Sequence, residues 1–222
     1  MLEQLYVLPI LLFSVVVHEV AHGLVALKLG DPTAKEMGRL TLNPIPHIDL
    51  VGSIIVPLSS LLIAGSVFIA WAKPVPINPA NFSRYRRDDV LVTIAGPLSN
   101  ICVALLCSLA VIALGQMGGF VAGMDSPVAE SALTFLLKMF YAGIYLNIVL
   151  AVFNLIPVPP LDGSHVLASV LPEALAYRYR QVGFLGIFLI IYLMRVPVFN
   201  NAFHAVITAG VSPFESMIRL FM

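Results

Sequence analysis

Charged side chains are scarce in this chain, and no polar stretch is long enough to form a separate soluble domain. Of its 222 residues, 11% are charged and 59% are hydrophobic, whereas a soluble domain carries about 25% charge. The mean hydropathy is +0.97. This composition excludes an ordinary soluble globular protein and predicts an integral, multi-pass protein of the cell membrane.

Three further absences narrow the class of protein. The 12 basic residues equal the 12 acidic ones, so the formal net charge is zero, and nothing in the balance favours binding to nucleic acid. Cysteine is limited to Cys102 and Cys107, both in an apolar run, which leaves no disulfide framework. The sequence also has no internal repeat and no low-complexity tract. We therefore expect a single domain over residues 1–222.

Long apolar runs dominate what is present. A helical span needs about 20 apolar residues. The candidate segments are residues 5–27, 50–72, 90–114, 132–156, 182–194 and 196–222, with a further short helix at 162–175. The segment at 182–194 is short for a span, and the one at 196–222 could be a span or an interfacial helix. The pattern predicts an all-α polytopic membrane protein with about five to six membrane segments.

The second apolar stretch, residues 50–72, has two alternative paths. Lysines and arginines lie in the loops on both sides of it: Lys28, Lys35, Arg39, Lys73, Arg84, Arg86 and Arg87. A full crossing would put these basic loops on opposite sides of the membrane, which the positive-inside rule disfavours. Gly52, Pro57 and Gly65 permit a broken path. We therefore favour a re-entrant or short β/loop element between the first and third apolar stretches.

Residues 18–22 read His-Glu-Val-Ala-His and lie inside the first apolar stretch. Residues four apart share one face of a helix, so His18 and His22 can present two imidazoles to one metal ion. Glu19 lies beside them, where it can take a proton from a water molecule rather than bind the metal. Ionisable side chains at membrane depth are unfavourable without a partner. The pattern predicts a zinc site that still lacks its third protein ligand.

Two residues compete to be that third ligand, Asp162 and His165. Both follow a segment in which Pro157, Pro159 and Pro160 prevent a continuous helix, so irregular backbone can carry the ligand. Asp162 is the better candidate because Gly163 leaves room for close approach.

The buried His/Glu/Asp cluster has a rival interpretation, an ion- or proton-coupled membrane transporter. Such a transporter typically shows inverted repeats or paired broken helices, and the sequence contains no repeat.

These segments resemble the site-2 protease family of intramembrane zinc metalloproteases. That family pairs a His-Glu-x-x-His helix with a distant Asn-x-x-Pro-x-Pro-x-x-Asp-Gly-like segment, and both are present, at residues 18–22 and 154–163. Further matches in the family's order are Asn43-Pro44, His47-Ile48-Asp49, Ala72-Lys73-Pro74-Val75-Pro76 and Ala95-Gly96-Pro97-Leu98-Ser99-Asn100. The chain has no room for a PDZ or CBS domain, so the short form of the family fits best.

The resemblance implies a set of roles and a substrate class. His18, His22 and Asp162 would hold one Zn²⁺ per chain, and Glu19 would be the general base. The activity would be endopeptidase cleavage in or near transmembrane segments of membrane proteins or peptides, within the lipid bilayer.

Two asparagines are further candidates for the site. We expect Asn100 and Asn154 to donate hydrogen bonds to the oxyanion or to substrate backbone, because an uncharged amide can donate without adding charge at membrane depth. The alternative is that each one bonds a neighbouring helix. The re-entrant stretch and the Pro-rich loop at 73–79 are expected to clamp a locally unwound substrate. His47 could support the site or cap a turn, and we favour the turn.

Overall fold

A computed structural model describes residues 6–55, 59 and 72–222 of the chain. Within those ranges all regular structure is helical and no strand occurs, which confirms the all-α class there. The helices are α1 Val7–Lys28, α2 Thr33–Glu36, α3 Tyr85–Gln116, α4 Gly118–Ala122, α5 Pro127–Asn154, α6 Gly163–Val170, α7 Glu173–Arg180, α8 Gly186–Arg195 and α9 Pro197–Phe221. Short 3₁₀ turns lie at Ile45–His47, Pro79–Asn81 and Gly183–Leu185, and a π-helical segment lies at Leu50–Ile55.

Among the described residues three helices are long and apolar enough to cross a membrane, namely α1, α3 and α5. A fourth would be formed by α7 and the residues Gly183–Arg195 together, although the two parts are bent by 70°. The structure therefore does not confirm five to six segments. The reason is length for α8, whose 10 residues span about 15 Å, half of the hydrocarbon layer.

Two other predicted segments have different outcomes. The segment predicted at 196–222 is one continuous helix of 25 residues, but polar side chains such as His204, Glu215 and Arg219 set it apart from the apolar spans. Most of the stretch at 50–72, including any re-entrant turn, lies outside the described residues.

The ends of the long helices follow from local sequence. α5 begins with Pro127 after Ser126, whose side chain accepts a hydrogen bond from the Ala129 amide, an ordinary N-terminal cap. α5 ends at Asn154 because the prolines that follow cannot continue a helix. α3 begins at Tyr85, five residues before the predicted start at 90, because its first turn is charged and hydropathy does not register it.

The core of the molecule is a three-helix bundle in which α1, α3 and α5 pack against one another in every pairing. Side-chain contacts give the directions of the helices. His18 contacts Asn100 and His22 contacts the Val92 carbonyl, so α3 is antiparallel to α1. Ser14 contacts Asn147, and Gly143 lies against Ile10, so α5 is parallel to α1. The end of α1 and the start of α3 therefore lie at the same end of the bundle.

Candidate metal centre

Three potential metal ligands converge in the described part of the bundle: His18, His22 and Asp162. The two imidazole Nε2 atoms are 3.0 Å apart. Asp162 Oδ2 lies 3.1 Å from His18 Nε2 and 3.4 Å from His22 Nε2. Both histidines are buried and Asp162 is partly buried. Residues that are 140 positions apart in sequence thus meet at one point.

The backbone around Asp162 explains how the carboxylate reaches the histidines. Asp162 occupies the N-cap position of α6, where an aspartate ordinarily accepts a backbone N–H, but its side chain makes no capping hydrogen bond. The carboxylate is thus available to the histidines. Gly163 packs against the chain leaving α5: an added Cβ would lie 2.2 Å from the Leu155 carbonyl oxygen. The glycine lets α6 start close to the end of α5.

The Nδ1 atoms of His18 and His22, which face away from Asp162, each lie against a hydrogen-bond acceptor. His22 Nδ1 lies 2.7 Å from the Val92 carbonyl oxygen, which can only accept, so Nδ1 carries the proton. His18 Nδ1 lies 2.6 Å from Asn100 Oδ1. In the neutral imidazoles both Nε2 atoms then carry lone pairs directed at Asp162.

A buried chain of amides fixes the orientation of Asn100. Asn147 Nδ2 donates to the Gly143 carbonyl oxygen and to Ser14 Oγ, each at 2.8 Å. Asn147 Oδ1 therefore faces Asn100 and accepts from its Nδ2 at 2.9 Å. This leaves Asn100 Oδ1 facing His18, where it accepts the Nδ1 proton. Ser14, Asn100 and Asn147 are all fully buried, so each step of the chain is determined by the previous one.

The three atoms that converge, His18 Nε2, His22 Nε2 and Asp162 Oδ2, are all hydrogen-bond acceptors, and no donor lies between them in the described structure. Asp162 Oδ2 is buried and has no hydrogen-bond partner, and both facing nitrogens carry lone pairs. Such a cluster is repulsive unless a cation lies among the three atoms. Gly96 of α3 forms the wall beside it: an added Cβ would lie 2.4 Å from His22 Nε2 and 2.6 Å from His18 Nε2. Two neutral imidazoles and a carboxylate are a donor set that zinc accepts, so the residues fit a zinc ion.

Glu19 lies next to this cluster on α1 without belonging to it. Its Oε2 accepts a hydrogen bond from the Val75 amide at 2.8 Å. The side chain is half-buried, so the carboxylate remains accessible beside the three ligands. Its assignment as the general base stays a prediction.

Most of the chain matches a known peptidase family. The sequence profile of Peptidase family M50 covers residues 6–194, which includes all three converging side chains and Glu19. The chain is a member of peptidase family M50. The resemblance to the site-2 proteases is therefore confirmed, and the protein is a metalloprotease.

Two relatives of this M50 peptidase carry matching names. "Putative zinc metalloprotease YwhC" of Bacillus subtilis (strain 168) is 35% identical over 221 residues, covering 97% of this chain and 90% of that protein. "Putative zinc metalloprotease Rip2" of Mycolicibacterium smegmatis (strain ATCC 700084 / mc(2)155) is 30% identical over 200 residues, covering 86% of this chain and 67% of that protein. No solved structure matches the chain. The transporter interpretation gains no support from these relationships.

The remaining predicted site residues of the M50 peptidase lie in different surroundings. His165 is not part of the metal cluster; its Nδ1 is 3.2 Å from Asp89. Asn154 Nδ2 donates to the Leu150 carbonyl oxygen on its own helix at 2.9 Å, and its role toward substrate stays a prediction. His47 Nε2 lies 3.0 Å from the Thr41 carbonyl oxygen, in agreement with a turn.

Asn100 is engaged behind the ligands in this structure, and its role toward substrate stays a prediction. Its oxygen is bound to His18 and its nitrogen to Asn147, so its amide is engaged behind the ligands. The structure thus corresponds to the alternative in which the amide bonds a neighbouring helix.

Sequence reasoning singled out neither Ser14, Val92 nor Asn147, and it named Val75 and Gly96 only as parts of matching motifs. It did not predict the contacts by which these residues support Glu19 and the ligands. The two polar ones, Ser14 and Asn147, are detectable in principle because each interrupts an apolar span.

Proposed function

We propose that this M50 peptidase is a zinc-dependent intramembrane endopeptidase. Its substrates would be transmembrane proteins or peptides, cut in or near their membrane segments, and the enzyme would be a multi-pass protein of the cell membrane. The observation that carries the proposal is the depth of the site. His18 and His22 lie in the middle and second half of a 22-residue apolar helix that is long enough to cross a membrane, so cleavage at this site would take place below the membrane surface.

The chain's own residues would share the chemistry as follows. His18, His22 and Asp162 would hold one zinc ion per chain. When bound, zinc supplies Lewis-acid polarisation of the scissile carbonyl and lowers the pKa of a water molecule toward about 7. Glu19 would take the proton of the attacking water and deliver it to the leaving amine. Asn154 remains our candidate donor to the oxyanion or substrate backbone.

We also propose that the stretch at 50–72 leaves and re-enters the bundle from one side. Two contacts support this path. The Lys73 amide donates to the His47 carbonyl oxygen at 2.9 Å, and Asn81 Nδ2 donates to Asp31 Oδ1 at 2.7 Å. These contacts hold the chain near the end of α1 both before and after the stretch. A single full crossing would instead place the two ends of the stretch on opposite sides of the membrane.

The test of the function is a paired measurement of zinc content and cleavage. Purified protein in detergent should contain one zinc per chain and cut a synthetic transmembrane peptide. Glu19→Gln should keep the zinc and lose cleavage by about 100- to 10,000-fold, the range expected for removal of a general base. Glu36→Gln, at an exposed glutamate beyond α1, is the matched control and should retain both. Wild-type protein without zinc or without cleavage would refute the function, and wild-type turnover by Glu19→Gln would refute the assigned base.

A further inference from the structure

Arg39 is a buried cation without an acidic partner in the described part of the chain. Its side chain belongs to a residue that is only 6% exposed, and no carboxylate of the described residues forms an ion pair with it. Burying an unpaired charge is costly unless hydrogen bonds satisfy it. The burial of Arg39 therefore has to be explained by the groups to which its guanidinium donates hydrogen bonds.

The partners of Arg39 are two backbone carbonyls in the loop that passes Glu19. Arg39 Nη2 donates to the Lys73 carbonyl oxygen at 2.8 Å and to the Pro74 carbonyl oxygen at 3.3 Å. The guanidinium therefore holds the two peptide groups that immediately precede Val75. Both bonds come from one guanidinium nitrogen, Nη2, which lies between the two carbonyl oxygens.

Residues 74–76 read Pro-Val-Pro, and this Pro-Val-Pro segment contains one backbone N–H. That N–H belongs to Val75, because proline has none. It donates to Glu19 Oε2 at 2.8 Å, and Val75 itself is 6% exposed. The segment is attached on both sides, through the Lys73 amide to His47 and through the Asn78 amide to Asp31 Oδ2 at 2.7 Å.

We propose that Arg39 and the Val75 amide act together as a positioning device for the Glu19 carboxylate. Arg39 fixes the peptide groups before Val75, and the Val75 N–H then holds one carboxylate oxygen of Glu19. The other oxygen is left to exchange a proton with the attacking water. The inference rests on the proposed function, since it assigns a purpose to Glu19 as the base. A carboxylate held in one orientation is placed for proton transfer more often than a freely rotating one, so the reaction is faster.

Hydrogen–deuterium exchange tests the geometry without any enzymatic assay. Because the Pro-Val-Pro segment has a single exchangeable amide, its deuterium uptake reports Val75 alone. The amide should be protected in the wild type and exchange at least about tenfold faster in Arg39→Ala and in Glu19→Ala. Arg86→Ala, at an exposed arginine of α3, is the matched control and should leave protection unchanged. Equal protection in the wild type, Arg39→Ala and Glu19→Ala would overturn the inference.

Kinetics on a synthetic transmembrane peptide test the consequence. Arg39→Ala should lower kcat by about 10- to 100-fold with zinc content and KM unchanged, and Arg39→Lys should recover part of the loss. Val75→Pro removes the N–H and should behave like Arg39→Ala, whereas Arg86→Ala, at an exposed arginine of α3, should keep kcat. A wild-type kcat in Arg39→Ala, or a loss of rate that equals its loss of zinc, would overturn the inference. An inactive wild type would refute the proposed function, while the exchange measurement would still decide the geometry.

Discussion

Individual hydrogen bonds behind the two histidines decide which ring nitrogens face Asp162. The decisive groups are acceptors that cannot donate, the carbonyl oxygens of Val92 and Gly143. Starting from them, the amides of Asn147 and Asn100 can be oriented in one way only, and the His18 tautomer follows. The tautomers of the two histidines are therefore determined by residues that would not themselves bind the metal.

Asn147 is the most informative residue of this chain to replace. Asn147→Leu removes the nearer acceptor of Asn100 Nδ2 and leaves it only the Ser14 carbonyl oxygen at 3.4 Å. Asn100 is then held less firmly in the orientation in which it accepts the His18 proton. We expect zinc affinity to fall by about 10- to 100-fold, as is usual when a partner of a ligating histidine is lost. Competition with a chelator measures the change. Asn201→Leu, at an exposed position of α9, should bind zinc like the wild type. Unchanged affinity in Asn147→Leu would show that the amide chain does not hold His18.

Gly96 gives a second prediction at this scale, because it leaves the space that the imidazoles occupy. Gly96→Ala would place a Cβ 2.4 Å from His22 Nε2, and both rings are held from behind and cannot retreat. We expect the variant to lose most of its zinc, measured as metal per chain after purification. Gly119→Ala is the control, since nothing lies within 4 Å of a Cβ added there. Full zinc occupancy in Gly96→Ala would mean that the rings can move.

The sequence allowed the converging residues to be named but not those that support them. The pairing of His18 and His22 follows from helical geometry. The prolines and Gly163 favoured Asp162 over His165, and the resemblance to the site-2 proteases implied it as the third ligand. Gly96 and Asn147 could not be assigned, because a linear pattern does not show which faces of two helices meet. Asn100 illustrates the same limit, since its membrane depth was predicted but its partner was not.

At the scale of helices and loops, hydropathy locates the apolar centre of each long helix and misses its polar ends. α3 begins in the charged sequence at Tyr85, and α7 contains Glu173, Arg178 and Arg180, so neither boundary has an apolar signal. In the connection between α1 and α3, hydropathy registers the apolar stretch at 50–72 but not the polar contacts on either side of it. The connection is organised by a buried carboxylate, Asp31, at the end of α1.

Asp31 ties this connection together and should make its stability depend on pH. Burial opposes ionisation of Asp31, but hydrogen bonds from Thr33, Asn78 and Asn81 outweigh it and hold the pKa of the carboxyl below its ordinary value of 3.8. A lowered folded-state pKa stabilises the protein above the unfolded-state value, and this stabilisation disappears as the pH falls through the folded-state pKa.

Asp31→Asn should therefore unfold at a lower temperature than the wild type at about pH 7, and the difference should shrink below about pH 4. Thermal unfolding in detergent, followed by circular dichroism on both proteins, measures the two midpoints. A difference that stays constant across this range would assign the effect to packing rather than to ionisation.

At the scale of the whole molecule, the direction of the bundle helices controls whether the metal centre can form. Asp162 follows α5, so its carboxylate reaches the depth of His22 because α5 runs parallel to α1. This requires α3 to return between them and requires the connection from α1 to α3 to stay at one end. Most exposed basic residues of this region, including Lys28, Lys35 and Arg86, lie at that same end, which the positive-inside rule assigns to the cytoplasm. Arg39 does not contribute to that surface charge because it is buried.

Labelling of single cysteines from each side of the membrane tests this arrangement. In a background with Cys102 and Cys107 replaced by alanine, Lys35→Cys and Ser83→Cys are both exposed and should react with an impermeant reagent from the cytoplasmic side. Met124→Cys, 54% exposed between α4 and α5, is the control at the opposite end and should react from outside. Labelling of Lys35→Cys and Ser83→Cys from opposite sides would mean that residues 50–72 cross the membrane fully. In that case α1 and α3 could not be antiparallel neighbours, and the contacts of His18 with Asn100 and of His22 with Val92 would be lost together with the metal centre.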